Sequence, residues 1–259
     1  MKIDKSLYEN MSFSVYRFLF LLTKFYFPKS NIVLCYHSVS DEGWRFSTKR
    51  SDFEKQMNYL SKHYNFVSLD DLITGKAKSP SVAITFDDGY KNLLQNACTV
   101  LSKYKIVPTV FVIGEPRHAN RTELQNNLEL LDQKDLNNLR ELGWQIGYHS
   151  KTHADLATLE LDALKIELDS NKSYRYFAYP RGFYSDKLIS ILKSSCYEAA
   201  FTVDGGVLDL SDKYKINRLP IEGNISIDEF IGYTSMYGVI LSRIFLRFLQ
   251  FKDKLGRLF

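Results

Sequence analysis

Two short strings in this chain combine residue types that hydrolytic chemistry needs. They are Thr85-Phe86-Asp87-Asp88-Gly89-Tyr90 and, further on, His149-Ser150-Lys151-Thr152-His153. The first ends an apolar run from Val82 to Phe86, so two adjacent carboxylates emerge where a buried strand meets its loop. Imidazoles at i and i+4 can converge on one metal from a single helical turn or a tight loop. A carboxylate plus two histidines leaves open coordination positions, as hydrolytic metal sites require. The other carboxylate is then free for proton transfer. Adjacent Asp residues before Gly also suit a turn or a helix cap, and a lone His is usually an ordinary polar residue. Two histidines at metal spacing, in a chain with only five, favour the metal.

The elements that must position these residues alternate between short apolar runs and helical periods. Strands are expected over Ile32 to Tyr36, Val82 to Phe86, Pro108 to Ile113, Trp144 to Tyr148, Tyr176 to Tyr179 and Tyr197 to Val203. Between them, helices are expected over Ser51 to His63, capped by Ser51 with Glu54 three residues on, and over Asn92 to Tyr104. Further helices are Asp132 to Leu142, stopped by Gly143, then Leu159 to Asn171 and Ser185 to Ser194. Such alternation implies parallel strands joined by right-handed crossovers, an α/β fold. The candidate residues all fall at C-terminal strand ends, which favours a barrel over an open sheet. The polar loop from Gly114 to Leu131, with Arg117, His118, Asn120 and Arg121, would shape access to that face.

A length of 259 residues suits one sizeable domain, and 45% hydrophobic with 25% charged residues is ordinary for a globular protein. A net charge of +4 without a basic, aromatic-interleaved cluster gives no reason to expect a nucleic-acid partner. Cys35, Cys98 and Cys196 are few, odd in number and far apart, which argues against a disulfide framework; none is assigned chemistry. The ends are the unusual part. Phe13 to Phe27 is nearly continuous in apolar and aromatic residues, shorter than the roughly 20 needed to span a bilayer, and lacks the flanks of a cleaved signal. Near the other end Arg243, Arg247, Gln250, Lys254 and Arg257 share one helical stripe, opposite Leu241, Phe245, Phe248, Leu249, Leu255 and Phe259. Such a basic amphipathic helix suits a membrane interface, or docks on the barrel. The expected division is an apolar helix over 1–30, a barrel over 31–235 and the basic helix over 236–259.

The first string is close to the opening motif of the polysaccharide deacetylase (NodB-like) family, and H-S-x-T-H matches that family's second motif. Five specified residues such as T-F-D-D-G arise by composition in on the order of one in ten thousand chains of this length. The resemblance spans roughly Ile32 to Ile231 and implies an irregular (β/α)7-type barrel, here with helical N- and C-terminal appendages. It implies Asp88, His149 and His153 as ligands of one divalent metal, with Zn²⁺ favoured by its tolerance of N/O sites, and Asp87 as general base.

Many family members place a catalytic histidine near the C-terminus, but no His follows His153 here. His37, in Tyr36-His37, instead matches the N-terminal Y-H motif of a poly-N-acetylglucosamine deacetylase branch, which implies that it protonates the leaving amine. Arg218, in Arg218-Leu219-Pro220, resembles that branch's R-[IL]-P and would orient the base. The third motif departs to Tyr179-Pro180-Arg181-Gly182, with Arg181 where an aromatic is common. Tyr90, Tyr179 and Arg181 are the expected substrate contacts.

The implied activity is metal-dependent removal of an N-acetyl group from an amino sugar of a cell-surface glycan or its lipid-linked precursor. The alternatives are a catalytically silent carbohydrate-binding barrel and a hydrolase of another linear amide. The apolar ends suggest a peripheral position on the cytoplasmic side of a bacterial inner membrane, or else a soluble cytoplasmic protein.

Overall fold

The computed structural model describes residues 30–120, 124–125, 127–170 and 174–256, together with 18, 19, 21 and 22. Most of Phe13 to Phe27 lies outside the described residues, as do Arg121, Asn171, Arg257 and Phe259, and the side chains of Leu249, Gln250, Lys254 and Leu255 are likewise not described.

Among the described residues seven parallel strands follow one another around the barrel wall: β1 (Ile32–Tyr36), β2 (Ser81–Phe86), β3 (Thr109–Val112), β4 (Gln145–Tyr148), β5 (Tyr176–Ala178), β6 (Ala199–Phe201) and β7 (Leu219–Pro220), and a two-residue strand at Asn65–Phe66 also pairs in parallel with β2. Their order is β7-β1-β2-β3-β4-β5-β6, so each new strand after β1 extends the sheet in one direction until the last returns to β1. Closure falls to one irregular stretch. Ile216 bridges Phe201 of β6, and Leu219 and Pro220 pair with Leu34 and Cys35 of β1. This is the expected (β/α)7-type barrel, with residues 216–220 joining its two edges.

Strand alternation decides what faces inward. Val33, Ala83, Phe111, Ala178, Phe201 and Ile216 pack together as an inner core, separate from the larger apolar layer beneath the helices. Continuing each strand by twos brings Cys35 and His37, Thr85 and Asp87, His149, and Arg218 onto the same interior line. Gly147 is needed there, because a Cβ would sit 2.4 Å from the ring of Phe111, its register partner on the neighbouring strand. The backbone then carries the sheet pattern one residue past the strands: Asp87 N–H donates to Tyr36 O (2.9 Å) and His149 N–H to Val112 O (2.9 Å).

The helices cover the outer face: α1 (Arg50–His63), α2 (Ala97–Ser102), α3 (Gln133–Glu141), α4 (Leu161–Leu168), α5 (Asp186–Ser194), α6 (Ile227–Thr234) and α7 (Met236–Gly256). Several boundaries differ from the sequence expectation. Lys49, not Ser51, precedes the first turn of α1, and no side chain caps it. The helix expected over Asn92 to Tyr104 is a 3₁₀ turn at Lys91–Leu94 followed by the short α2. Asn92 and Asn96 reach across to Ser38 Oγ (2.8 Å) and Val39 O (2.7 Å), which fixes the segment after β1 instead of extending a helix. Asp132 caps α3 through a reciprocal capping box with Asp135. The loop beyond Gly114 builds a small core of its own, in which Leu124, Leu128 and Leu130 pack with Ile113 and Tyr90.

Helix α7 packs one face on the barrel, burying Val239, Ser242 and Phe245. It approaches so closely that a Cβ on Gly205 would meet Ser242 Oγ at 2.7 Å and Leu246 Cδ1 at 2.8 Å. Arg247 is exposed, whereas Arg243 lies half-buried against Gly206. Among the described residues no helix is long and apolar enough to cross a membrane.

Candidate active site

At the C-terminal mouth lies a cavity of about 460 Å³ whose wall includes His37, Asp87, Asp88, His149, His153 and Arg181. Asp87 and Asp88, adjacent in sequence, part company through backbone geometry. Asp88 takes a left-handed φ of 67°, as do Ser150 (63°) and His153 (60°), rare for residues bearing a Cβ and concentrated where side chains must be aimed. The histidine string is therefore a tight loop and not a helical turn. It is tied down by Glu167, which accepts from Thr152 N–H (2.9 Å) and Thr152 Oγ1 (2.6 Å), and by Ser150 Oγ, which accepts from His153 N–H (2.9 Å).

Asp88 Oδ1 lies 3.4 Å from His149 Nε2 and 3.4 Å from His153 Nε2, with all three residues buried. His149 Nδ1 sits 2.8 Å from Ala178 O, a group that can only accept, so Nδ1 carries the proton and Nε2 offers a lone pair to the cluster. Burial pushes both histidines below the usual imidazole range, His153 to about 3, with His149 and His37 lowering it further. Both are therefore neutral at neutral pH. One carboxylate oxygen and two imidazole nitrogens aimed at a common point are the donor set of an N/O divalent-metal site, and the three fit such an ion.

Asp87 has a different partner. Arg218, fully buried, donates Nη1 to Asp87 Oδ1 and Nη2 to Asp87 Oδ2, both at 2.7 Å. Its Nε donates to Thr202 O (3.2 Å), its Nη1 approaches Thr85 Oγ1 (3.1 Å), and its guanidinium stacks over the Phe111 ring at 5.1 Å. Burial, the largest single influence, would raise the Asp87 carboxyl, but the charge and hydrogen bonds of Arg218, joined by His149 and His37, together hold the group well below the usual carboxylate range. Cys35 adds its thiol, Sγ to Asp87 Oδ2 at 3.3 Å, and burial pushes that thiol up so that it stays protonated and donates. His37 completes this side: its donor atoms and those of Cys35 and Asp87 lie within 4.8 Å of one another. The ring stacks on Phe46 at 4.8 Å, its buried Nδ1 has no hydrogen-bond partner among the described residues, and burial lowers its pKa to about 4.

The structure thus brings Asp87, Asp88, His149, His153, His37, Arg218 and Arg181 to one cavity or directly behind it. Arg181 reaches the wall from a left-handed backbone (φ 60°) and is held by Asp155 Oδ2 at 2.9 Å. Tyr90 and Tyr179, expected to touch substrate, are not on that wall. Tyr90 is fully buried, with its hydroxyl accepting from Gln125 N–H (3.1 Å), and Tyr179 is fully buried, with its hydroxyl donating to Tyr214 O (2.9 Å). Both are packing residues, because a strand-end aromatic next to a motif is as readily turned into the core as into the mouth. His118 is an exposed loop residue paired with Glu115 (3.1 Å).

Sequence reasoning missed Cys35, which strand alternation places on the same face as His37. It also missed Trp44 and Phe46 of the loop after β1, and the rim pair Arg45–Glu222 (2.6 Å), for which no local pattern gives a signal.

Comparison with known proteins follows the same lines. A family model described as "Polysaccharide deacetylase" matches residues 74–200. The poly-β-1,6-N-acetyl-D-glucosamine N-deacetylase of Staphylococcus epidermidis is 31% identical over 214 residues, 72% of each chain. Its Staphylococcus aureus counterpart is 27% identical over 215 residues, 74% of this chain and 73% of that one. Among solved structures, the Streptococcus pyogenes deacetylase PplD in complex with acetate superposes with a TM-score of 0.66 at 22% identity, covering 80% of this chain and 99% of that one. IcaB from Ammonifex degensii gives 0.63 at 24% identity, covering 82% and 98%. At these identities the structural likenesses speak to the fold.

Proposed function

Because this chain belongs to the polysaccharide deacetylase family, we propose that it hydrolyses the N-acetyl group of an amino sugar in a cell-surface glycan or its lipid-linked precursor. The observation that carries this reading is the pairing of two unlike clusters at one mouth: three neutral or anionic donors converging at Asp88, and an ionised Asp87 beside them.

Asp88, His149 and His153 would hold one divalent ion, with Zn²⁺ the choice that best suits this N/O set. When bound, such an ion lowers the pKa of water toward neutral and polarises an amide carbonyl. The remaining work belongs to the chain. Asp87, kept ionised with the help of Arg218, accepts the proton of the attacking water. The fork of Arg218 fixes the plane of that carboxylate at the wall of the cavity.

His37 is neutral at rest and close to Asp87, so the proton that Asp87 takes from the attacking water passes to His37, which delivers it to the departing amine. Arg181, braced by Asp155, orients the sugar, and Trp44 in the same cavity wall adds an aromatic surface for it. We further propose a peripheral position at the cytoplasmic face of the inner membrane, supported by exposed Phe18 and Leu22 in the N-terminal segment.

The test is acetate release from a panel of N-acetylated glycans with and without a chelator. Acetate that appears, stops with chelator and returns with a divalent ion supports the reading. Release untouched by chelator, or none from any glycan, contradicts it.

A further inference from the structure

The cavity wall carries two kinds of residue. His37, Asp87, Asp88, His149, His153 and Arg181 are one set, and Val203, Pro220, Ile225, Phe245 and Leu246 are the other, with Glu222 and Asn224 also in the lining. The amide reaction uses only the first. Sugar hydroxyls laid against the second set would lose water without gaining partners from it. That set suits hydrocarbon.

The apolar wall is built into the fold. Phe245 and Leu246 belong to α7, and α7 is seated by contacts that leave no room for adjustment. A Cβ on Gly238 would fall 1.9 Å from Gly232 O, and one on Gly206 would fall 2.7 Å from Arg243 Cδ. Gly206 N–H also donates to Ser242 Oγ at 3.1 Å, pinning the helix to the loop that carries Val203. The outward face of the same helix presents Tyr237, Ile240, Ile244 and Phe248, which are 49%, 43%, 57% and 39% exposed at helical spacing. One helix therefore shows hydrocarbon both to the cavity and to the outside.

From this juxtaposition we propose that the compartment between Val203, Ile225, Phe245 and Leu246 binds the hydrocarbon of a lipid aglycone, so that the substrate is a lipid-linked N-acetylated amino sugar. The inference rests on the deacetylase reading and narrows its substrate. The outer apolar face of α7 favours an aglycone that continues toward a lipid surface over a long N-acyl chain confined to the cavity. Each buried methylene contributes about 0.8 kcal/mol, close to tenfold in affinity for every two.

The test is calorimetric binding of the octyl and methyl β-glycosides of N-acetylglucosamine, below the micellar concentration, to the full chain carrying Asp87→Asn to slow turnover. The octyl glycoside should bind at least about tenfold tighter, and Leu246→Gln or Ile225→Asn should each cut that octyl-to-methyl ratio by about threefold or more in protein whose melting is cooperative. Equal affinities, a ratio untouched by both substitutions, or a gain seen instead with N-octanoylglucosamine would overturn the proposal. An octyl preference that persists while wild-type protein releases no acetate from any glycan supports the compartment and counts against hydrolysis, so the two claims fail separately.

Discussion

Asp87 and Asp88 are neighbours in sequence and opposites in circumstance. Asp87 faces a guanidinium that answers both its oxygens at 2.7 Å, together with a thiol at 3.3 Å. Asp88, turned by its left-handed backbone, faces two imidazole nitrogens at 3.4 Å. The first cluster is an internally neutralised pair that holds a carboxylate ionised; the second gathers lone pairs and gains its full worth with a cation from outside. A single residue step thus separates proton handling from ion holding, and what separates them is φ at one position as much as side-chain type.

The largest effect expected from breaking this contrast comes on the ion side. His149→Ala should remove bound divalent metal and lower turnover roughly a thousandfold or more, as read by metal analysis and acetate release; full metal content in that variant would mean the ion sits elsewhere. On the other side, Arg218→Leu strands a buried carboxylate and should cost about 3–5 kcal/mol, or about 10 °C in a thermal melt of a chain this size. A shift within about 2 °C would show that solvent, not Arg218, carries the Asp87 charge.

Acidification sharpens the comparison differently. His37 and His153 are neutral in the fold down to about 4 and about 3, whereas unfolded imidazoles take up protons near 6.5. The unfolded state then binds more protons between those values, so stability of the metal-free protein falls as pH drops from about 6.5 to 5, by about 2 kcal/mol for each residue. His37→Gln should flatten part of that slope in melts run against pH, and an unchanged slope would place the titration elsewhere. Smallest of all, Cys35→Ala removes one donor to Asp87 and should cost about 1 kcal/mol with metal retained; loss of the metal would mean the two clusters are not separable.

Much of this was legible in the sequence, for identifiable reasons. Strand β1 and the end of β2 show as apolar runs, and period-two alternation carries that signal to Asp87 and His37 at the mouth. Arg218 was found by its short motif alone, because β7 has only two residues and offers no periodicity. What the pattern could not give was set by tertiary contact. Asn92 and Asn96 break an expected helix to brace the segment after β1. Tyr90 and Tyr179 turn inward where their hydroxyls find backbone partners. The apolar wall from α7 depends on glycine contacts at 205, 206 and 238 that involve residues far apart in the chain.

The division of labour between the two carboxylates is tested most directly by measuring bound divalent metal and acetate release side by side in Asp87→Asn and Asp88→Asn. Asp87→Asn should keep about one ion per chain and lose turnover roughly a hundredfold or more, while Asp88→Asn should lose both. Two variants that behave alike, whether both loaded or both empty, would contradict the account.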